Sequence, residues 1–202
     1  SMIESESFRS AAHLPVARAA ARDALFRQLA GAPRGDVNDV AIAGVCATWV
    51  AGGGVLPRRM GLSAEMFARM LAHHFGSAAA EVAACDRRTE SEREDEIDAF
   101  RGLLLAHRAE RSLSETWLTE LICTATVGYD HLWSDLGLMS RPELTALMRL
   151  NYPRLAAANT QNMRWKKFLY RQLCEAHGRV LCRAPTCGEC SEVEACFAPG
   201  EG

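Results

Sequence analysis

Apolar positions recur at helical spacing through most of the chain, and that period predicts a succession of helices. Ser7 to Leu29 reads as the first, rich in Ala, Arg and Leu. Gly31-Ala-Pro33-Arg-Gly35 ends it. Asp39 to Val50 is apolar throughout, a pattern open to helix or strand, and its helical neighbours favour helix. Gly52-Gly53-Gly54 then breaks the chain, with Pro57 just after. Ser63 is placed to cap a helix that carries Met66, Phe67, Met70, Leu71 and Phe75 on one face. Thr89 to Ala109 reads as the next helix. Its first turns hold Glu90, Glu92, Glu94, Asp95, Glu96 and Asp98, and its end holds Arg101, His107 and Arg108. Acid first and base last suits the helix dipole, so the acidic run reads as a solvated helix start rather than a binding site.

Two capping boxes follow. Ser112-x-x-Glu115 opens a helix containing Trp117, Leu118, Leu121 and Ile122. Ser140-x-x-Glu143, with Pro142 in the first turn, opens one containing Leu144, Leu147, Met148 and Leu150. Between them Tyr129-Asp-His-Leu-Trp-Ser-Asp-Leu-Gly137 reads as a loop, and Pro153 restarts the chain after Tyr152. Asn162 precedes the last clear helix, Met163 to Ala176, with Gly178 as its natural stop. No run alternates like a strand. The pattern therefore predicts an all-α fold, a single-domain bundle of seven or eight helices over residues 3–178. Residues 179–202 form a cysteine-rich tail of the same domain, too rich in Cys, Pro and Gly to build a core of its own.

Composition adds little except in one respect. The 202 residues carry a formal net charge of −2, with 49% apolar and 24% charged residues. Those values exclude disordered, collagen-like and highly acidic chains. No apolar stretch approaches the ~20 residues of a membrane helix. The leading Ser1-Met2 is set aside as a cloning remnant, and no basic-then-apolar export pattern follows it. A soluble, cytoplasmic protein without membrane contacts is expected. The exception is cysteine. There are eight, and five of them (Cys174, Cys182, Cys187, Cys190 and Cys196) fall in the last 29 residues. In a chain without an export signal, crowded cysteines point to metal rather than disulfides. Cys46, Cys85 and Cys123 are scattered and read as packing residues.

The tail has the spacing C-x4-C-x2-C-x5-C, from Cys182 through Cys187 and Cys190 to Cys196. Four thiolates this close can converge on one centre, with Pro185 and Gly188 making the bends feasible. Zinc sites usually pair two close couples across a longer stretch. One close pair with wider arms sits nearer to ferredoxin-type spacing, so an iron–sulfur cluster is favoured over zinc, and both over a metal-free loop. The preceding helix holds the chain's two lysines, Lys166 and Lys167. From Arg164 to Arg183 there are six basic residues and one acid, Glu175. Trp165, Phe168, Leu169 and Leu173 can pack inward while the basic side attracts an anion; an ordinary solvated face fits the same pattern.

Met163-Arg-Trp-Lys-Lys-Phe-Leu-Tyr-Arg-Gln-Leu-Cys174, followed by Leu181-Cys-Arg-Ala-Pro-Thr-Cys187 and the rest of the cysteine loop, resembles the NifQ family of nitrogen-fixation proteins. Asp130-His-Leu-Trp-Ser-Asp-Leu-Gly-Leu138 and Ser140-Arg-Pro-Glu-Leu144 resemble that family's central segment. Gly61-Leu62 and the helix ending Ala72-His-His-Phe75 resemble its N-terminal part less distinctly. The likeness is good over residues 116–197 and weaker back to about Val50. It implies a non-enzymatic carrier that holds molybdenum in an iron–sulfur cluster and delivers it to the nitrogenase cofactor assembly proteins. It further implies that Cys182, Cys187, Cys190 and Cys196 are the cluster ligands. Molybdenum arrives as molybdate, a dianion, which Lys166, Lys167, Arg164 and Arg171 could concentrate.

Weaker candidates surround this set. His131, between Tyr129 and Trp133, could ligate a metal or simply satisfy a local hydrogen bond. His73 and His74 are adjacent, so a helix points them about 100° apart and a shared site is not expected. Cys174 could serve as a spare thiolate or pack. Two other classes remain as alternatives. A zinc-stabilised interaction module fits the cysteines. A DNA repair glycosylase fits the helices and a C-terminal cluster loop. The latter lacks a helix-hairpin-helix with a catalytic Lys or Asp, and a pI near 6.3 argues against nucleic acid as a partner.

Overall fold

Two helices are apolar around most of their circumference, and such helices belong at the centre of a fold. The computed structural model describes residues 14–31, 34–87, 89–90 and 93–177. Over them the chain forms α1 (Val16–Ala30), α2 (Asp39–Val50), α3 (Ala64–His74), α4 (Ala80–Ala84), α5 (Glu94–His107), α6 (Ser114–Thr126), α7 (Leu132–Leu136), α8 (Arg141–Asn151), α9 (Pro153–Ala158) and α10 (Trp165–His177). Short 3-10 turns at Arg58–Gly61 and Gly76–Ala79 link them, and no strand occurs among the described residues. The central pair is α2, with Ile42, Val45, Cys46 and Trp49 buried, and α6, with Trp117, Leu118, Leu121 and Ile122 buried. α1 packs on α2; α5 and α7 pack on α6; α8 packs on α7 and α9; and α10 packs on α5.

The all-helical reading holds, with ten helices among the described residues rather than seven or eight. The extra ones are short: α4, α7 and α9 span five, five and six residues. The Asp39–Val50 helix has the expected limits. Ser63 caps α3 by accepting from Met66 N, and Ser140 caps α8 by accepting from Glu143 N.

Four starts differ. α1 begins at Val16, because Pro15 adopts an extended ψ of 148° and cannot continue a helix through Leu14; residues 7–13 of the expected helix lie outside the described residues. α5 begins at Glu94 rather than Thr89, because Arg93 turns into the left-handed region at φ 67°. Glu94, Asp95 and Glu96 still occupy the first turn, as the dipole prefers. α6 begins one residue late, with Leu113 rather than Ser112 at its N-cap. Glu115 Oε2 accepts from Ser112 N as a capping box requires, but the Ser112 hydroxyl is drawn to the Asp36 carboxylate instead of closing the box.

The last helix starts at Trp165 rather than Met163. Its apolar side behaves as expected, with Trp165, Phe168, Leu169 and Leu173 all buried. Cys46 and Cys123 are free, buried thiols whose pKa burial pushes far up, which makes them inert packing groups. Cys85 is free and half-buried.

The loop after α2 is fitted to α7 by one glycine. Gly54 sits at φ +67°, and a Cβ there would stand 2.7 Å from Asp135 O. Val55 N donates to that same carbonyl at 2.9 Å. Gly54→Ala is expected to lower the unfolding free energy by roughly 2 kcal/mol or more, from the left-handed penalty plus a clash with backbone. Urea unfolding followed by circular dichroism would measure it.

Candidate functional site

The turn after α6, the first turn of α7, the start of α8 and the start of α10 enclose a cleft of about 270 Å³. Its lining carries Arg141, Arg164, Lys166 and Lys167 against one acid, Asp130. Tyr129, 87% exposed, and His131 stand on its rim side. His131 lies outside the helices, as its surroundings suggested. It is the N-cap residue of α7, with its ring stacked on Trp133 at 6.5 Å between centroids.

Of the four basic residues predicted to gather an anion, Arg164, Lys166 and Lys167 line the cleft and Arg171 does not. Arg171 lies further along α10, where its Nε donates to Glu175 Oε1 at 3.0 Å. Lys166 is the most constrained. Its Nζ pairs with Asp135 Oδ2, the two side chains being only 15% and 5% exposed. Burial pulls the Lys166 pKa down and pushes the Asp135 pKa up, each against the attraction of the other. Asp135 Oδ2 also accepts from Asp130 N at 2.9 Å. Gly128 makes room for it, since a Cβ there would meet Oδ2 at 2.5 Å.

The pairing changes the charge count of the cleft. Lys166 is matched by Asp135. Arg141 is the addition that spacing alone did not reveal. Its Nη2 donates to Asn162 Oδ1 at 2.9 Å and Met163 O at 3.1 Å. Its Nε is buried without a hydrogen-bond partner. Burial, and then the nearby Arg164 guanidinium, pull its pKa down. Two guanidiniums crowded beside a cleft are stabilised by an anion between them. In the sequence Arg141 looks like an ordinary first-turn residue after the Ser140 cap, and only the docking of α10 against α8 gives it a role.

Cys182, Cys187, Cys190 and Cys196 lie outside the described residues, as does the whole 179–202 tail. Cys174 is half-buried on α10.

A second polar cluster lies elsewhere, where the turn before α2 meets the end of α3 and the start of α6. His73 and His74, expected to diverge, both belong to it, with ring centroids 4.8 Å apart. The turn resolves the divergence by offering two carboxylates. His73 Nε2 lies 2.8 Å from Asp36 Oδ2, and His74 Nδ1 lies 2.7 Å from Asp39 Oδ1. Asp36 also accepts from Ser112 Oγ, from Ser114 Oγ at 2.8 Å and from Asn38 N at 2.8 Å. Burial alone would raise its pKa; these donors together bring it to about 2.

Fold and cleft define a protein that is all-helical over the described residues, with α10 turning basic residues into a cleft and a four-cysteine sequence following it. The NifQ family model matches residues 41–198, which takes in all four of those cysteines. The chain belongs to the NifQ family, a nitrogen-fixation family, as its Trp-Lys-Lys helix and cysteine spacing implied. It is 43% identical to the protein NifQ homolog of Sinorhizobium fredii over 70% of this chain and 62% of that one. It is 39% identical to protein NifQ of Azotobacter vinelandii over 70% of this chain and 78% of that one. Against protein NifQ of Klebsiella pneumoniae the identity is 49% over 40% of this chain and 48% of that one. The first of these relatives is therefore spanned over less than two thirds of its length. No solved structure matches the chain.

Proposed function

We propose that this protein carries molybdenum, as a molybdenum–iron–sulfur cluster, and delivers it for assembly of the iron–molybdenum cofactor of nitrogenase. The observation that carries the reading is the family match across residues 41–198, because it includes Cys182, Cys187, Cys190 and Cys196 as an intact set. Those four thiolates are the proposed ligands of the cargo. The basic cleft supports the reading from the other end of the process. Arg141, Arg164 and Lys167 surround a space wide enough for a small tetrahedral dianion. Molybdate could be concentrated there beside the helix that leads to the cysteines. The role is that of a carrier rather than an enzyme, in the cytoplasm, with cofactor-assembly proteins as recipients and neither membrane nor nucleic acid as partner. No described helix is long and apolar enough to cross a membrane.

Anaerobic purification with iron and molybdate supplied, followed by metal and sulfide analysis, tests the reading directly. Brown protein containing iron, sulfide and molybdenum is the expected result. Protein with zinc alone, and none of those three, would overturn it in favour of a zinc-stabilised module. The cleft has its own check. Lys167 lines the cleft together with Arg141 and Arg164. Changing Lys167 to Glu is expected to slow molybdate loading about tenfold while leaving preloaded cluster transfer unchanged. Equal loading rates at low salt would remove the cleft from the mechanism.

A further inference from the structure

We propose that Asp36, His73 and His74 form a second metal site, for a divalent first-row ion of the zinc or ferrous class, separate from the cysteine tail. The three residues come from two segments, the turn before α2 and the last turn of α3. One ligand atom from each lies within 4.8 Å of the other two. Tetrahedral ligands with bonds near 2.0–2.1 Å stand roughly 3.3–3.4 Å apart, so small side-chain rotations close the set.

The second and independent observation is at His74. Its side chain is wholly buried, yet its Nε2 has no hydrogen-bond partner. Asp39 Oδ1 can only accept, so the proton of the neutral ring sits on Nδ1 and Nε2 presents a lone pair. A buried lone pair left without a donor is unfavourable unless something else takes it. A carboxylate holding the far nitrogen of an imidazole is also the usual way a metal-binding histidine is oriented. Asp39 is thus a positioning residue, itself fixed by Arg34 N at 2.8 Å and Asp36 N at 3.1 Å.

The other two ligands are equally prepared. Asp36 stays anionic, and Ser112 and Ser114 hold its carboxylate in place. His73 Nε2 already faces Asp36 Oδ2, and an ion would take the position of the proton that now bridges them. The His73 side chain is 34% exposed, which gives an ion and a water ligand a way in. Two imidazoles and one carboxylate favour zinc or iron over calcium or magnesium, which prefer oxygen alone.

The site does not depend on the molybdenum reading, and the test keeps them apart. Cobalt(II) is added to the full chain carrying C182S, C187S, C190S and C196S, so the proposed cluster cannot form. One equivalent of cobalt is expected to remain through gel filtration. It should show weak visible ligand-field bands, no thiolate charge-transfer absorption, and a rise in Tm. His73→Gln, at a partly exposed position, is expected to bind at least tenfold more weakly with an unchanged far-ultraviolet spectrum. Failure of the four-serine chain to retain cobalt or to gain Tm overturns the proposal without any histidine variant. So does equal retention by His73→Gln, or a thiolate band. Those results would leave His74 as a packing partner of Trp117, whose ring lies 5.7 Å away.

Discussion

Asp135→Ala is expected to lower the free energy of unfolding by about 3–5 kcal/mol, because it leaves the Lys166 ammonium buried without its counter-charge. The loss should exceed that from any exposed pair, such as Glu65 with Arg69, which is worth ~0.3–0.5 kcal/mol at i,i+4 spacing. Two further groups suffer when the carboxylate goes. Asp130 N loses its acceptor, and the space kept by Gly128 becomes a void. Urea unfolding of Asp135→Ala, Lys166→Met and the double variant measures the coupling. The double variant should recover a substantial part of the loss, since an apolar stem replaces a stranded charge. Strict additivity of the two single losses would show that the pair is not energetically coupled.

Cys187→Ala or Cys190→Ala should abolish the visible absorption of anaerobically purified protein and remove its molybdenum and iron. No smaller effect is expected, because each of the four thiolates is a proposed ligand of the cluster. Cys46→Ala is the matched control. It removes a fully buried thiol from α2, costs stability on the order of 1 kcal/mol, and should leave metal content unchanged. Cluster retained by Cys187→Ala, at wild-type absorption, would remove that residue from the ligand set.

How much of this could be read from residues alone depends on the range of the interaction involved. Helices marked by local chemistry were legible. Ser63, Ser140 and the apolar faces they precede act within one or two turns, and those helices appear where expected. α1 and α5 were overextended because composition stayed helical past residues whose backbone was not: Pro15 and the left-handed Arg93. α7 was missed because five residues are too few to show a period.

The cleft was half legible. The sequence density of Arg164, Lys166 and Lys167 announced a basic face. That Lys166 is neutralised by Asp135, 31 residues away, and that Arg141 replaces it, are products of packing. The surroundings of His73 and His74 are likewise a product of packing. Helical geometry set the two rings apart, and only the Asp36–Asp39 turn, from another part of the chain, supplies each with its own carboxylate. An Asp-x-x-Asp turn together with a His-His pair at a helix end was the available signal.

That turn also carries a latch of a different kind. Asn38 Nδ2 donates to Asn151 Oδ1 at 2.8 Å, and Asn151 Nδ2 returns a bond to Asn38 Oδ1 at 2.8 Å, across 113 residues of sequence. Both amides are buried, and both are uncharged. Closing so long a loop is entropically late, so the latch forms after the local helices rather than guiding them. Once formed, it ties the start of α2 to the end of α8, and its side-chain amide protons should exchange with solvent only when the domain opens as a whole. Ionic strength should not touch it. Raising the salt would thus weaken the cleft's hold on a dianion while the latch between α2 and α8 stays shut.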